Sequence, residues 1–248
     1  MELRRFPVPV ATSAPTGTTN AYLVGDLLVD PAARTDALDD AAERATHVAV
    51  THTHPDHVGA VSEYADSRTV WALAGHEARF EEATGIEPDE TFADGDRLAG
   101  LTVLETPGHA PDHVALSTGE AAICGDLAMA ESSVFVGGEG ADMTIYLDSL
   151  RRLRELDLRV LHPGHGEPIE APKNRLEGLT EHRLERERRV RKAVEAGNHE
   201  VEAIRDAAYE KDLSGVAELA SLTVEAHLEK LAAEGELEWD GERARVRD

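Results

Sequence analysis

Four times along this chain a short strand-like stretch runs into glycine or proline, or straight into polar residues, and then into a histidine or aspartate. Residues 46–50 lead to His52, residues 101–106 to Pro107-Gly108-His109, residues 121–124 to Gly125-Asp126, and residues 159–161 to His162-Pro163-Gly164-His165-Gly166. A sheet whose strands finish at one edge gathers such residues from distant parts of a sequence into one place. Glycine at the breaks lets the backbone bring their side chains close. This pattern narrows the fold more than composition does.

The densest of the four is Thr51-His52-Thr53-His54-Pro55-Asp56-His57-Val58-Gly59. Val48 and Val50 before it are β-branched strand formers. Val58, Val61 and Tyr64 after it have helical spacing and predict a helix over 58–64. Pro55 excludes a continuous helix through the run. In an extended chain residues two apart point the same way, so His52 and His54 can share one cation. Asp56 and His57 project differently and suit a second cation. One histidine beside a turn is ordinarily a surface residue, but three histidines and an aspartate within six positions are not so explained. Imidazole and carboxylate without thiolate favour zinc, manganese or iron, with zinc the commonest hydrolytic choice.

Between these stretches the pattern predicts a hairpin (21–24 with 27–29), helices over 35–45, 77–83 and 147–156, and strands at 70–74 and 115–117. Gly137-Gly138-Glu139-Gly140 reads as a mobile loop near the site. No P-loop, no G-x-S-x-G elbow and no internal repeat is present. The 248 residues are ample for a sizeable core. Net charge is −24, only Lys173, Lys192, Lys211 and Lys230 are lysines, and aromatics make up 4%. That balance resembles the proteins of salt-accumulating halophiles. Cys124 is the sole cysteine, which excludes an internal disulfide framework and suits a reducing cytosol. Residues 1–10 lack an apolar h-region, and no run approaches the ~18 apolar residues of a membrane helix. A soluble, cytoplasmic protein with no membrane partner is expected.

Composition shifts after Pro172. Residues 1–172 carry net charge −19 and residues 173–248 carry −5. The expected division is a catalytic domain over 1–172 and a helical module over 173–248. The tail predicts helices over 173–196, 201–209 and 216–234, then a hairpin of 237–239 and 244–246 about Asp240-Gly241, a winged-helix-like order. Arg183, Arg186, Arg188, Arg189, Arg191 and Lys192 cluster on its first helix. They suit contact with nucleic-acid phosphate, or a solvated helix laced with Glu–Arg pairs.

Together these motifs resemble the metallo-β-lactamase superfamily: H-x-H-x-D-H, a distant histidine, an aspartate and a last histidine, all in order. The resemblance implies an α/β fold, a four-layer αβ/βα sandwich with the metal site at one edge. It implies that His52, His54 and His109 hold one divalent ion, that Asp56, His57 and His165 hold a second, and that Asp126 bridges them. Asp30 matches an early structural aspartate. Two cations ~3.5–4 Å apart would bring the pKa of a shared water towards ~7 and supply hydroxide, with Asp56 both ligand and orienting group. His113 either contacts substrate or supports a ligand. The layout with its tail looks like the lactamase-beta-2-like branch, which implies hydrolysis of an ester-type bond, with single-stranded RNA as one substrate. The alternatives are a glyoxalase II-like hydrolase of small thioesters and a metal-sensing nucleic-acid-binding protein. Oligomeric state is open.

The charge balance makes a prediction. Between about 0.1 and 2 M potassium chloride the screening length falls from ~10 Å to below ~3 Å, which relieves self-repulsion. The thermal midpoint, followed by circular dichroism, is expected to rise across that range; a flat or falling midpoint would refute the halophilic reading.

Overall fold

Several strands of this chain are apolar on both faces, so both faces need cover. In a computed structural model describing residues 2–12, 14–210 and 213–247, two sheets stack on each other and helices cover their outer sides. The first sheet runs, in chain order, β1 (Leu3–Pro9), β2 (Thr18–Val24), β3 (Leu27–Val29), β4 (His47–Ala49), β5 (Thr69–Leu73) and β6 (Glu90–Phe92). Its first three strands are antiparallel and β3 to β6 are parallel. The second sheet runs β7 (Arg97–Leu98), β8 (Leu101–Glu105), β9 (Val114–Ser117), β10 (Ala121–Gly125) and β11 (Val160–Pro163), with only the last pair parallel.

The period of two along each strand sorts side chains between layers. In β2, Ala21 and Leu23 face the cluster under α1 (Asp36–Ala42), α2 (Pro55–Val58), α3 (Val61–Tyr64) and α4 (Glu77–Thr84), whereas Tyr22 and Val24 lie between the sheets. In β10, Ala122 and Cys124 pack beneath α5 (Met143–Glu155), while Ile123 joins the inter-sheet core. The result is the four-layer sandwich expected from the sequence.

One expected helix changes. The helix expected over 58–64 is split into α2 and α3. A Cβ on Gly59 would collide with the carbonyl oxygen of Ala32, and the Ala60 N–H bonds Pro31 O at 2.9 Å. This close tertiary approach is what divides the helix. Residues 3–9 form a strand despite Pro7 and Pro9, because β1 lies at the sheet edge, where proline is tolerated. Gly137 packs against the backbone of Leu222, so the glycine run is seated on the tail.

The tail comprises α6 (Pro172–Glu195), α7 (Val201–Ala208), α8 (Ala217–Ala233) and a hairpin of β12 (Leu237–Trp239) and β13 (Ala244–Val246). α6 ends at Gly197, which has φ 93, as the Gly197-Asn198 break predicts. Leu176 and Leu179 near its start belong to the core under α5, together with Ala226 of α8. Val190, Ala193 and Val194 near its end belong to a separate core with Val201, Ile204, Val224, Leu228 and Leu231. One helix therefore spans two cores. Among the described residues no helix is long and apolar enough to cross a membrane.

A buried charge group ties α8 to α6. Lys230 Nζ donates to Glu187 Oε1 at 2.9 Å and to Glu234, and His227 Nδ1 lies 3.3 Å from Glu187 Oε2. Lys230→Met would leave Glu187 buried without its cation. A loss of about 3 kcal/mol is expected in urea unfolding, the lower end for a broken buried pair because Glu187 keeps His227.

Candidate metal centre

The ends of β4, β8, β10 and β11 converge where the two sheets meet. Thr51 O accepts from Val114 N at 2.8 Å, and Gly125 O accepts from Gly164 N at 2.8 Å, which locks the strand ends together. β2 braces the last turn: Asn20 Nδ2 donates to Pro163 O and Gly166 O at 2.9 and 2.8 Å, and Tyr22 Oη to Pro163 O at 2.6 Å. Sequence patterning showed no sign of these braces, because Asn20 and Tyr22 read only as members of a hairpin strand. Gly164 has to be glycine, since a Cβ there would lie 2.6 Å from His57 Cε1 and against Asp126 Oδ1.

This scaffold brings His52, His54, Asp56, His57, His109, Asp126 and His165 together. They form three overlapping groups of donors: His52, His54 and His109; His52, His57 and Asp126; Asp56, His57 and His165. Within each group the donor atoms lie within 4.8 Å of one another. Hydrogen bonds set which nitrogen each ring turns inward. His109 Nδ1 donates to Phe135 O and His165 Nδ1 to Thr18 O, both at 2.8 Å, and a carbonyl can only accept. Their Nε2 atoms therefore carry lone pairs. His57 Nδ1 donates to Asp30 Oδ2 at 3.0 Å, again freeing Nε2. Thr51 gives its hydroxyl proton to Asp30 Oδ2 at 2.8 Å and so accepts from His52 Nδ1 at 3.1 Å. His54 differs, presenting Nδ1, which lies 2.9 Å from His109 Nε2.

These donors fit metal ions. His52 Nε2, His57 Nε2 and Asp126 Oδ1 are buried and lack a hydrogen-bond partner, a costly arrangement for a protein interior unless another group binds them. His57 Nε2 and Asp126 Oδ1 stand 3.5 Å apart, too far for a good hydrogen bond and suited to a shared ion. Burial pushes His52 well below the usual histidine value and His54 to about 4, with the neighbouring imidazoles adding to both. Burial also lowers His109. These rings stay neutral, as ligands must. Burial raises Asp126, but His57 and His165 outweigh it and hold the carboxyl well below its usual range. Burial likewise opposes charge on His57 and His165, yet Asp126 overcomes it and both shift upward. Any proton that this pull leaves on either ring has to depart when a metal binds.

A family model for the metallo-beta-lactamase superfamily matches residues 14–165. The chain belongs to the metallo-β-lactamase superfamily. Among relatives, a Beta-lactamase-like protein 2 homolog of Caenorhabditis elegans is 27% identical over 196 residues, covering 71% of this chain and 65% of that protein. An Atrochrysone carboxyl ACP thioesterase of Aspergillus fumigatus is 31% identical over 210 residues, covering 76% of this chain and 64% of its own. The match thus spans just under two thirds of either relative. A metallo-beta-lactamase family protein of Thermus thermophilus superposes with a TM-score of 0.79 at 25% identity, over 99% of this chain and 98% of that one.

Within this metallo-β-lactamase site, His113 is not among the residues that line the cavity described below. It is fully buried, and its Nε2 accepts from the Asp126 N–H at 3.0 Å while Nδ1 donates to Thr106 Oγ1 at 2.9 Å. Burial pushes it to about 3, so the ring is neutral and supports Asp126 from behind. Of the two roles open to it, these bonds match support of a ligand. Both of its nitrogens are consumed by the scaffold.

The donors open on a cavity of about 750 Å³. His54, Asp56, His109, Asp126 and His165 lie at its floor, Ser132 to Phe135 form one side, and α6 with Tyr209 and part of α8 form another. The α6 arginines divide into two sets. Arg188 and Arg189 pair with Glu185, and Arg191 with Glu195 and Glu236, as the Glu–Arg reading anticipated. Arg183 is instead buried, donating to Val134 O, and Arg186 donates to Ala208 O at 2.8 Å.

Asp30 is fully buried and does not line the cavity, yet it sets the orientation of two inward-facing rings. Asp30→Ala is expected to weaken metal affinity about 10- to 100-fold, the usual cost of losing a partner behind a ligand. Competition with a chromophoric chelator measures it.

Proposed function

We propose that this chain is a cytoplasmic two-metal hydrolase of acyl thioesters, with zinc as the working pair and manganese or iron as substitutes. His52, His54 and His109 would hold one ion, Asp56, His57 and His165 the other, and Asp126 would be shared. Such ions supply hydroxide at neutral pH and polarise the bond under attack. The chain's own part is positioning. Asp56, at the cavity floor and 3.5 Å from His165 Nε2, would orient the attacking water. Asp30 and His113 hold His57 and Asp126 in register.

The observation that carries the thioester reading is the cavity. Its size falls in the ordinary range for a small-molecule site of about 300–1,000 Å³. A single strand of RNA needs a cationic track running on along its backbone beyond the cavity, and the α6 arginines that do not line the cavity, Arg188, Arg189 and Arg191, are already paired with glutamates in a chain of net charge −24. The fungal relative named as a carboxyl ACP thioesterase supports the same reading. Domain boundaries follow as part of it: residues 1–172 carry the chemistry, and the winged-helix-like residues 173–248 supply a wall of the substrate cavity.

Chain loaded in turn with zinc, manganese or iron, and assayed in low and multimolar salt, is expected to hydrolyse acyl thioesters and to spare single-stranded RNA. Chelation should abolish turnover. Asp126→Ala should lower it more than ~100-fold, beyond what losing a partner behind a ligand costs. RNA cleavage without thioester turnover would reverse the assignment.

A further inference from the structure

Arg175, Arg183 and Arg186 all line the cavity that holds the metal donors. Among the described residues none of them has a carboxylate at ion-pair distance. Their hydrogen bonds go to main-chain carbonyls, Met129 O and Ser132 O for Arg175, Val134 O for Arg183 and Ala208 O for Arg186, and Arg183 also lies over the Tyr146 ring at 5.5 Å from its centre. In a chain with 49 acidic residues against 25 basic ones, three guanidiniums without a paired acid on one cavity wall run against composition. Elsewhere on the same helix, Arg188, Arg189 and Arg191 sit against glutamates.

Carbonyls account for where these side chains lie but leave their charge unbalanced. Each guanidinium has five N–H donors, and the carbonyls take two from Arg175 and one each from Arg183 and Arg186. Arg183 Nε is buried with no partner at all, in a residue only 3% exposed. The Arg186 guanidinium lies 3.5 Å from the centre of the Tyr209 ring, which fixes its plane and leaves its edge for hydrogen bonding. Burial lowers the proton affinity of Arg175 and Arg186, and Tyr146 for the one and Tyr209 with the more distant Glu210 for the other offset it only in part.

We propose that Arg175, Arg183 and Arg186 form an anion-recognition wall, and that the substrate carries a carboxylate or phosphate remote from the bond that is cleaved. The proposal rests on the thioester reading and extends it. The scissile carbonyl sits over Asp126 and the histidines, while the anionic end is held against α6. A carboxylate would belong to the acyl part, and a phosphate to the thiol part.

Three thioesters of matched length separate these cases: one neutral, one with a terminal acyl carboxylate and one with a phosphate on the thiol. Metal-loaded chain is expected to favour one anionic substrate over the neutral one by about 10- to 100-fold in kcat/KM, the worth of one charge-assisted hydrogen bond or slightly more. Whichever anion is favoured names the source. Arg175→Gln and Arg186→Gln should reduce that preference at least ~10-fold. Arg186→Lys, which keeps the charge and guards against a merely structural loss, should retain part of it, and Arg188→Gln on the same helix should leave it intact. An unchanged preference in Arg186→Gln, or no preference in the parent chain, overturns the proposal. If no thioester is turned over, the thioester reading fails and binding decides the wall separately. Glutarate and inorganic phosphate are titrated into metal-depleted full-length chain. Weaker binding in Arg186→Gln than in Arg188→Gln upholds the wall; equal or absent binding overturns it.

Discussion

The carboxylate of Asp30 is the contact on which the rest of the centre depends. It is fully buried at the end of β3 and accepts from the Thr51 N–H at 2.6 Å, from the Thr51 hydroxyl at 2.8 Å and from His57 Nδ1 at 3.0 Å. A buried carboxylate is expensive unless its oxygens are satisfied, and satisfying them fixes the loop after β4. Asp30 itself has φ 51, a conformation that an aspartate adopts more readily than most residues. That backbone turn aims the carboxylate at the next strand's end. Thr51 passes the order on to His52, so one acid orients two rings of the donor cluster.

From the other sheet, His113 does for Asp126 what Asp30 does for His57. Its neutral ring accepts from the Asp126 backbone and is steadied by Thr106. Together they make the donor cluster a property of the strand ends rather than of mobile loops. That precision shows at His57 Nε2 and Asp126 Oδ1, which stop 3.5 Å apart.

What the sequence made legible was what local pattern encodes. The donors stood out because they follow strands, with His109, Asp126 and His165 each after a Gly or Pro break. What it hid was tertiary. Gly59 divides a helix only because Ala32 crosses it. Asn20 and Tyr22 brace the last turn from more than a hundred residues away. His113, in a polar run beside His109, looks as ready for a substrate as for a scaffold until both its nitrogens are seen to be occupied. Arg183 and Arg188 have the same side chain on the same helix, and nothing local tells the buried one from the one paired with glutamate.

α6 has a mechanical consequence. At 1.5 Å per residue its 24 residues form a rod of about 36 Å. Its base is bolted into the sandwich through Leu176 and Leu179, and its far end into the terminal module through Val190 and Val194. A tilt of about 5° at the base would carry the far end ~3 Å over that length, the width of a water molecule. The rod therefore sets the spacing between the two cores, and the second tie through Ala226 of α8 works against such a tilt.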